Sequence, residues 1–389
     1  GGGIAAVGRA EDGAAEVHDA ADALARQPDQ TAVGVLLGEH DAVEAVSDAH
    51  DVPTAVATRQ RGGADDRVQA WGVAVGPVGY VRGVRILERV RARFNDPGPR
   101  LPDVAWFDEP DAIDQIARRA DTEDDRRVLR DWVRSGYAIV EGVVEPAAVD
   151  AMVADLDEMF VGDGRYPGLD LHDVVFPDGH RPHCEQVDLL ELPDEARRFA
   201  RDHSNWRVHG FFRYSDAADA VRHHPELRRL ASLILGVPAT ADYSINFHNG
   251  STQRLHQDSA VFHLGVPNLI VGAWIACEDI VEGSGPLVYY PGSHRREMFT
   301  GFEGYPLTNL RTADGPTTAA YQHEVDTAAE GYEEHQFLCR KGDVLLWHGM
   351  LIHGGSNIAR PELTRRSYVI HFIPDGADVA DQVTGPTNW

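Results

Sequence analysis

Lysine is almost missing from this chain: Lys341 is the only one, and arginine supplies the rest of the 36 basic residues. Against them stand 62 acidic residues, so the formal net charge is −26. A field of that sign repels phosphate backbones and anionic bilayers, which excludes nucleic acid and membrane surfaces as expected partners. Cysteine is as sparse, with Cys184, Cys277 and Cys339 far apart and in no CxxC spacing. An odd, scattered count excludes a disulfide framework and a zinc ribbon. No apolar run reaches the roughly 18 residues of a membrane-spanning helix. The opening Gly1-Gly2-Gly3 has no leader pattern, so the expected location is cytoplasmic.

What is present is an ordinary hydrophobic share, 43% of 389 residues, enough for one large domain or two. The first hundred residues read as a small α/β domain. Residues 31–37 (TAVGVLL) and 52–57 (VPTAVA) look like strands around a helical stretch at 41–49, and 78–94 reads as an amphipathic helix. Gly1-Gly2-Gly3 only loosely echoes a dinucleotide loop, with no strand before it. The Pro, Gly and Asp of 95–103 (NDPGPRLPD) form a linker, which sets the expected domains at 1–100 and 101–389. Helices are expected near 109–120 and 122–135, then a strand at 137–144. A further helix opens at Glu145-Pro146, with Val149, Met152, Val153, Leu156, Met159 and Phe160 on one buried face. Residues 161–210 read as irregular, as a lid would. From 240 onward short β-runs follow one another: 243–248, 268–277, 286–290, 336–339, 343–347 and 367–373. Helices first and strands after predict an α+β fold whose β half is a barrel or two-sheet sandwich.

The chemistry-bearing residues sit in this β-rich half. In Leu255-His256-Gln257-Asp258, side chains at i and i+2 of a strand share a face, so an imidazole and a carboxylate meet at one point. Two histidines and one carboxylate on one side of a metal leave its other positions open, the donor set of non-haem iron oxygenases. The second histidine comes from 343–355 (DVLLWHGMLIHGG), where His348 and His353 both qualify. Arg365 follows His353 by 12 residues and opens the strand SYVIHFI, with Ser367 on the same face. Arginine is suited to bidentate capture of a carboxylate, and a buried one beside iron needs an anionic ligand to offset its charge.

These stretches resemble the phytanoyl-CoA dioxygenase family of 2-oxoglutarate oxygenases. The matching segments are LHQD at 255–258, NLIVGAWIACEDI at 268–280, GSGPLVYYPGSHR at 283–295, GDVLLWHGMLIHGGSN at 342–357 and RRSYVIHF at 365–372. Residues 135–160 are similar to the family's opening strand and helix, whereas the first hundred residues have no counterpart. The resemblance implies a double-stranded β-helix, a jelly-roll, cupin-like core with flanking helices. It also implies Fe(II) held by His256, Asp258 and His353, which favours His353 over His348. By the same resemblance Arg365 takes the 2-oxoglutarate carboxylate, with Trp274, Ser367 and Ser356 in the co-substrate pocket. The implied activity couples O2 and the decarboxylation of 2-oxoglutarate to succinate and CO2 with hydroxylation of an unactivated C–H. Desaturation, cyclisation and epimerisation use the same oxidant. Asp258 in place of Gly or Ala argues against a halogenase.

The expected substrate is a small molecule, of specialised metabolism or linked to a carrier or nucleotide, and residues 1–100 are the expected contact for a carrier or protein partner. The competing reading is a catalytically silent metal-binding β-barrel that serves as a binding module. Of the remaining histidines, His348 reads as structural, and His371, in phase with Arg365 and Ser367, reads as facing the barrel interior or as a satisfied core residue. Those at 172, 180, 183, 203 and 209 read as solvated or lid-lining. Asn246, His248 and Gln253 are left open as substrate contacts.

Overall fold

A computed structural model describes residues 104–377, apart from 252, 263–267 and 307, together with 42–44 and 56–58. The chain divides into two units, Gly1–Asn95 and Asp96–Trp389. In the first, β1 (Ala42–Glu44) pairs antiparallel with β2 (Val56–Thr58), Val43 standing opposite Ala57. Residues 42–44 are therefore extended where the sequence pattern reads a helix: β-branched Val43 takes a ladder position, and local helical spacing yields to strand pairing. The expected strand at 31–37, helix at 78–94 and linker at 95–103 lie outside the described residues.

The second unit begins with helices Ala112–Arg119 and Glu123–Ser135. The Thr122 hydroxyl accepts from the Asp125 N–H to start the latter, and Gly136, with φ of 78°, ends it in the left-handed conformation. β3 (Tyr137–Val140) follows, then helix Pro146–Val161, whose first position is the expected proline. Its buried face is Val149, Met152, Leu156, Met159 and Phe160, as the stripe predicts. The segment read as irregular is instead ordered: β4 (Asp170–Phe176), β5 (Gly179–Glu185), helix Asp194–His203 and β6 (Arg207–His209). β5 is an exposed edge strand containing Pro182, so it shows no apolar alternation for a sequence reading to find.

After helices Asp216–Arg222 and Pro225–Leu235 come β7 (Ala239–Phe247), β8 (Val271–Ala276) and β9 (Leu287–Tyr289). Helix Gly315–Ala329 precedes β10 (His335–Gln336), β11 (Val344–His348), β12 (His353–Gly355) and β13 (Ser367–Pro374). The large sheet runs β3-β11-β8-β13-β7-β6-β4-β5 and the small one β10-β9-β12. Every pairing among the described strands is antiparallel. The result is a double-stranded β-helix, two sheets enclosing one interior.

Strand alternation sorts the core. Tyr368, Ile370 and Phe372 of β13 face outward, with Ala273 and Ile275 of β8 and Leu346 of β11, onto the helices. Val369, Trp274 and Leu345, one residue out of phase, face inward and pack against Leu287 and Tyr289 of the small sheet. The turn into β11 depends on Gly342, with φ of 89° and a carbonyl that accepts from the Val144 N–H. A Cβ there would stand 2.2 Å from the Val144 oxygen. Gly342→Ala is expected to lower stability by about 1–3 kcal/mol, from left-handed strain plus that clash. The check is the urea midpoint at unchanged slope; a midpoint equal to wild type would mean that the turn relaxes without cost.

Candidate functional site

His256 and His353 stand opposite one another at the mouth of the barrel and exchange both backbone hydrogen bonds, at 2.9 and 3.1 Å. This antiparallel bridge brings their rings to 4.4 Å between centroids. His353 opens β12, whereas His256 is a single bridging residue, and the chain turns at once into a 3-10 turn starting at Asp258. The i, i+2 pair therefore converges from a strand end and a turn rather than from one continuous strand.

Each imidazole is set by a carbonyl. The Nδ1 of His256 lies 2.9 Å from the Arg254 oxygen, and the Nδ1 of His353 lies 2.9 Å from the Leu351 oxygen. A carbonyl oxygen only accepts, so each Nδ1 carries the proton and each Nε2 keeps its lone pair. Both Nε2 atoms point at the same oxygen, Oδ1 of Asp258, at 3.6 and 3.7 Å. The donor atoms of the three residues all lie within 4.8 Å of one another, and all three residues are buried. That spacing suits a cation at about 2.0–2.2 Å from each donor. Burial pushes the His353 imidazole down to about 4, so it is neutral and able to ligate at neutral pH.

The second oxygen of Asp258 is held separately. Oδ2 accepts from the indole Nε1 of Trp347 at 2.7 Å and bonds Nε2 of His371 at 2.9 Å. The carboxylate thus presents only Oδ1 to the cluster. Burial opposes its ionisation, but the His371 and His353 imidazoles and the hydrogen bond of His371 outweigh that, holding the carboxyl well below its usual range. Trp347 reaches Asp258 because β8 carries Gly272 opposite it: a Cβ there would sit 2.1 Å from the indole. Alternation in phase with Ser367 and Arg365 left His371 either facing the barrel interior or a satisfied core histidine; it faces the interior, on Asp258.

His348, the alternative ligand, faces elsewhere. Its Nδ1 accepts from the Met350 N–H at 3.0 Å, so Nε2 is the donor, 3.2 Å from Asp108. Asp108 also accepts from Asn268, which in turn accepts from the Ser259 hydroxyl. This relay ties the loop after Asp258 to the loop before His353. Asn246 faces the helices and touches Met152, and His248 stacks on Trp206, whereas Gln253 lines the cavity beside His256.

Arg365 completes the interior. It is 1% exposed, and its guanidinium lies 5.3 Å from the Phe247 ring and 5.5 Å from the Trp274 ring. Nη1 donates to Ser367 Oγ at 3.2 Å, while Nε and Nη2 are buried without a hydrogen-bond partner. The Trp274 Nε1 is likewise buried and unpartnered. Burial lowers the Arg365 pKa to about 10, which leaves the group charged at neutral pH. One cavity of about 380 Å3 is lined by His256, Asp258, His353, Trp274 and Arg365 together. Ser367 supports Arg365 from the same face. Ser356 stands apart, its hydroxyl donating to the Pro286 carbonyl at 2.8 Å, and it does not line this cavity.

The family model for phytanoyl-CoA dioxygenase matches residues 132–366, well over half of the chain. The chain belongs to the phytanoyl-CoA dioxygenase family. Members of that family are non-haem Fe(II)/2-oxoglutarate oxygenases, and the cluster and arginine just described lie within the matched segment. Among similar proteins, the zebrafish (Danio rerio) phytanoyl-CoA dioxygenase domain-containing protein 1 is 23% identical over 69% of this chain and 94% of its own length. The human (Homo sapiens) peroxisomal phytanoyl-CoA dioxygenase is 26% identical over 62% of this chain and 66% of its own length. The mouse (Mus musculus) domain-containing protein 1 is 25% identical, and this chain spans 60% of its length. A solved non-heme alpha ketoglutarate dependent carbocyclase, SnoK from nogalamycin biosynthesis, is 17% identical, with a TM-score of 0.47 over 66% of this chain and 86% of that one. No helix among the described residues is long and apolar enough to cross a membrane.

The hold on Asp258 Oδ2 is testable without any substrate. Trp347→Phe and His371→Phe each remove one donor from a buried carboxylate and are expected to weaken divalent-metal binding about 10- to 100-fold. Gly272→Ala should do the same by displacing the indole. The readout is calorimetric titration with Fe(II) or Co(II) under anaerobic conditions; wild-type affinity in both phenylalanine variants would show that Oδ1 holds its position unaided.

Proposed function

We propose that this protein is an Fe(II)- and 2-oxoglutarate-dependent dioxygenase that hydroxylates an unactivated C–H of a small molecule. The observation that carries the reading is Arg365: a charged guanidinium, fully buried, with two nitrogens unpartnered, in the cavity that also holds the His256–Asp258–His353 cluster. Burying an unpaired charge costs several kcal/mol, so the arrangement is explained by an anionic ligand that the site is built to receive. A dicarboxylate that chelates the metal at one end and meets Arg365 at the other fits both requirements.

In this reading His256, Asp258 and His353 hold Fe(II). Their protons and lone pairs are already assigned by the Arg254 and Leu351 carbonyls and by Trp347 and His371. Arg365 holds the far carboxylate, oriented by Ser367 and by the rings of Phe247 and Trp274, and the Trp274 indole N–H offers a further donor. When bound, Fe(II) and 2-oxoglutarate supply the oxidative chemistry, in which O2 and the co-substrate give succinate, CO2 and an oxygenated substrate. The chain's own task is to fix the donors, neutralise the dianion and close the interior to bulk water. We read 101–389 as the oxygenase domain and 1–100 as a separate accessory region, the contact for a carrier or protein partner.

The test is anaerobic titration of the metal-free protein with Fe(II) and then 2-oxoglutarate, following the visible charge-transfer band of the chelate. Wild type should develop the band, and His256→Ala should not. Arg365→Ala should need roughly a hundredfold more co-substrate, the value of two charge-assisted hydrogen bonds. No band in metal-loaded wild type would overturn the reading in favour of a binding module without turnover.

A further inference from the structure

The cavity does not end at the cluster. The small sheet covers β8, β11 and β13, and there the interior is apolar; β6 and β4 extend the large sheet beyond it. Across that extension the inward side chains of His371 on β13, Tyr243 opposite it on β7, His209 on β6 and His172 on β4 form a staggered row. His371 touches Asp258, Tyr243 is hydrogen-bonded to His209, and His209 stacks on His172 at 4.2 Å. All four line the same cavity as the cluster.

In a chain of net charge −26 this part of the wall collects three arginines: Arg207 on β6, Arg213 in the 3-10 turn Phe211–Arg213, and Arg311 from the segment before helix Gly315–Ala329. Among the described residues Arg213, which is exposed, bonds the Gly210 and Gly168 carbonyls and no carboxylate. Arg207 reaches Asp173 through Nη2 at 2.8 Å, yet its Nε is buried without a partner. Two acidic residues line this part of the wall as well. Asp170 is held by His183 at 3.0 Å, whereas Asp242 keeps Oδ2 buried without a partner, and burial raises its pKa from the ordinary carboxylate value. The histidines are held neutral: burial and then Arg207 push His172 down to about 4, and burial with His172 and Arg207 keeps His209 well below the usual range. The wall therefore sets the guanidinium groups of Arg207 and Arg213 beside an aromatic surface of Phe212, Tyr243 and Phe262.

We propose that the substrate carries an anionic oxygen group, a carboxylate or a phosphate, which Arg207 and Arg213 bind while its hydrocarbon body lies on Phe212, Tyr243 and Phe262. The substrate class rests on the oxygenase reading for its outcome, a C–H brought to the cluster. The binding half stands on the wall alone.

Four probes of similar size separate the alternatives: 3-phenylpropionate, 2-phenylethyl phosphate, 3-phenylpropanamide and 3-phenylpropylammonium. Each is titrated calorimetrically into protein loaded anaerobically with Fe(II) and saturating 2-oxoglutarate, so that Arg365 is already occupied. At least one anion should bind about tenfold or more tightly than the amide, the worth of one charge-assisted hydrogen bond, and the ammonium more weakly still. Whichever anion binds more tightly identifies the group. Arg207→Gln and Arg213→Gln should each abolish the preference, and Arg213→Lys should retain most of it. An amide or ammonium that equals both anions, absent anion binding, or a preference that survives both glutamine variants would overturn the substrate class. The charge-transfer band keeps the two readings apart. A normal band with no anion preference sinks only this proposal, whereas a missing band in wild type sinks the oxygenase reading whatever the probes do.

Discussion

Everything at the centre of this molecule depends on one pair of backbone hydrogen bonds, those that His256 and His353 exchange across the barrel mouth. Residues directly opposite in an antiparallel ladder are held a fixed few ångströms apart. Two imidazoles mounted there need no further device to converge. The remaining degree of freedom, which ring nitrogen faces inward, is removed by the carbonyls of Arg254 and Leu351. Those carbonyls belong to residues two before each histidine, so the same short extended segment supplies both the side chain and the lock on its tautomer. The relay from Ser259 through Asn268 and Asp108 to His348 then fastens the two supporting loops to each other.

The interior holds two buried charges that do not neutralise one another. Asp258 bonds Trp347 and His371, Arg365 bonds Ser367, and no ion pair between the two is present. A buried ion normally finds its partner, because each unpaired charge costs several kcal/mol. Keeping a carboxylate and a guanidinium apart in one cavity is a stable arrangement only if other ions complete each of them, a cation at the cluster and an anion at the arginine. The same logic explains the aromatic surroundings. Phe247 and Trp274 stabilise a guanidinium through their ring faces while offering it no acidic group, so the arginine stays ordered and still available.

Much of this was legible in the sequence, for identifiable reasons. The β-runs of the second half appeared because their strands are buried on both faces, giving continuous apolar stretches such as VGAWIA and SYVIHFIP. The helix at Pro146 was visible through its proline and its stripe. What escaped was structure without an apolar signature: β5 is exposed at a sheet edge, and β4 and β6 alternate charged with apolar residues in a stretch rich in Gly, Pro and His. The strand at 42–44 was masked by local helical spacing. Within the site, the HxD pair, His353 and Arg365 carried a recognisable pattern. Trp347 did not, and the alternation of His371 signalled an inward face without pointing to Asp258, because those contacts span sequence separations of 89 and 113. No spacing rule reaches that far; only the assembled barrel brings β11 and β13 to the same carboxylate.

The strands that escaped the sequence reading line the cavity as well. The His256–Asp258–His353 cluster and Arg365 are mounted on elements whose positions the two-sheet pairing dictates, and changing them would disturb the interior of the barrel. β4, β6 and the turn after it belong to the extension of the large sheet, beyond the cover of the small one. Substitutions there alter the wall of the cavity without touching the donors, so the chemistry is fixed in one part of the sheet and selectivity is set in another. In this chain that part of the wall sets Arg207, Arg213, His172 and His209 beside its aromatic residues. A long saturated chain gains nothing from such a surface, since burying those groups against methylenes would leave their hydrogen bonds unmade. An anion returns those hydrogen bonds, and that difference is what ties the polar extension to the substrate rather than to the stability of the fold.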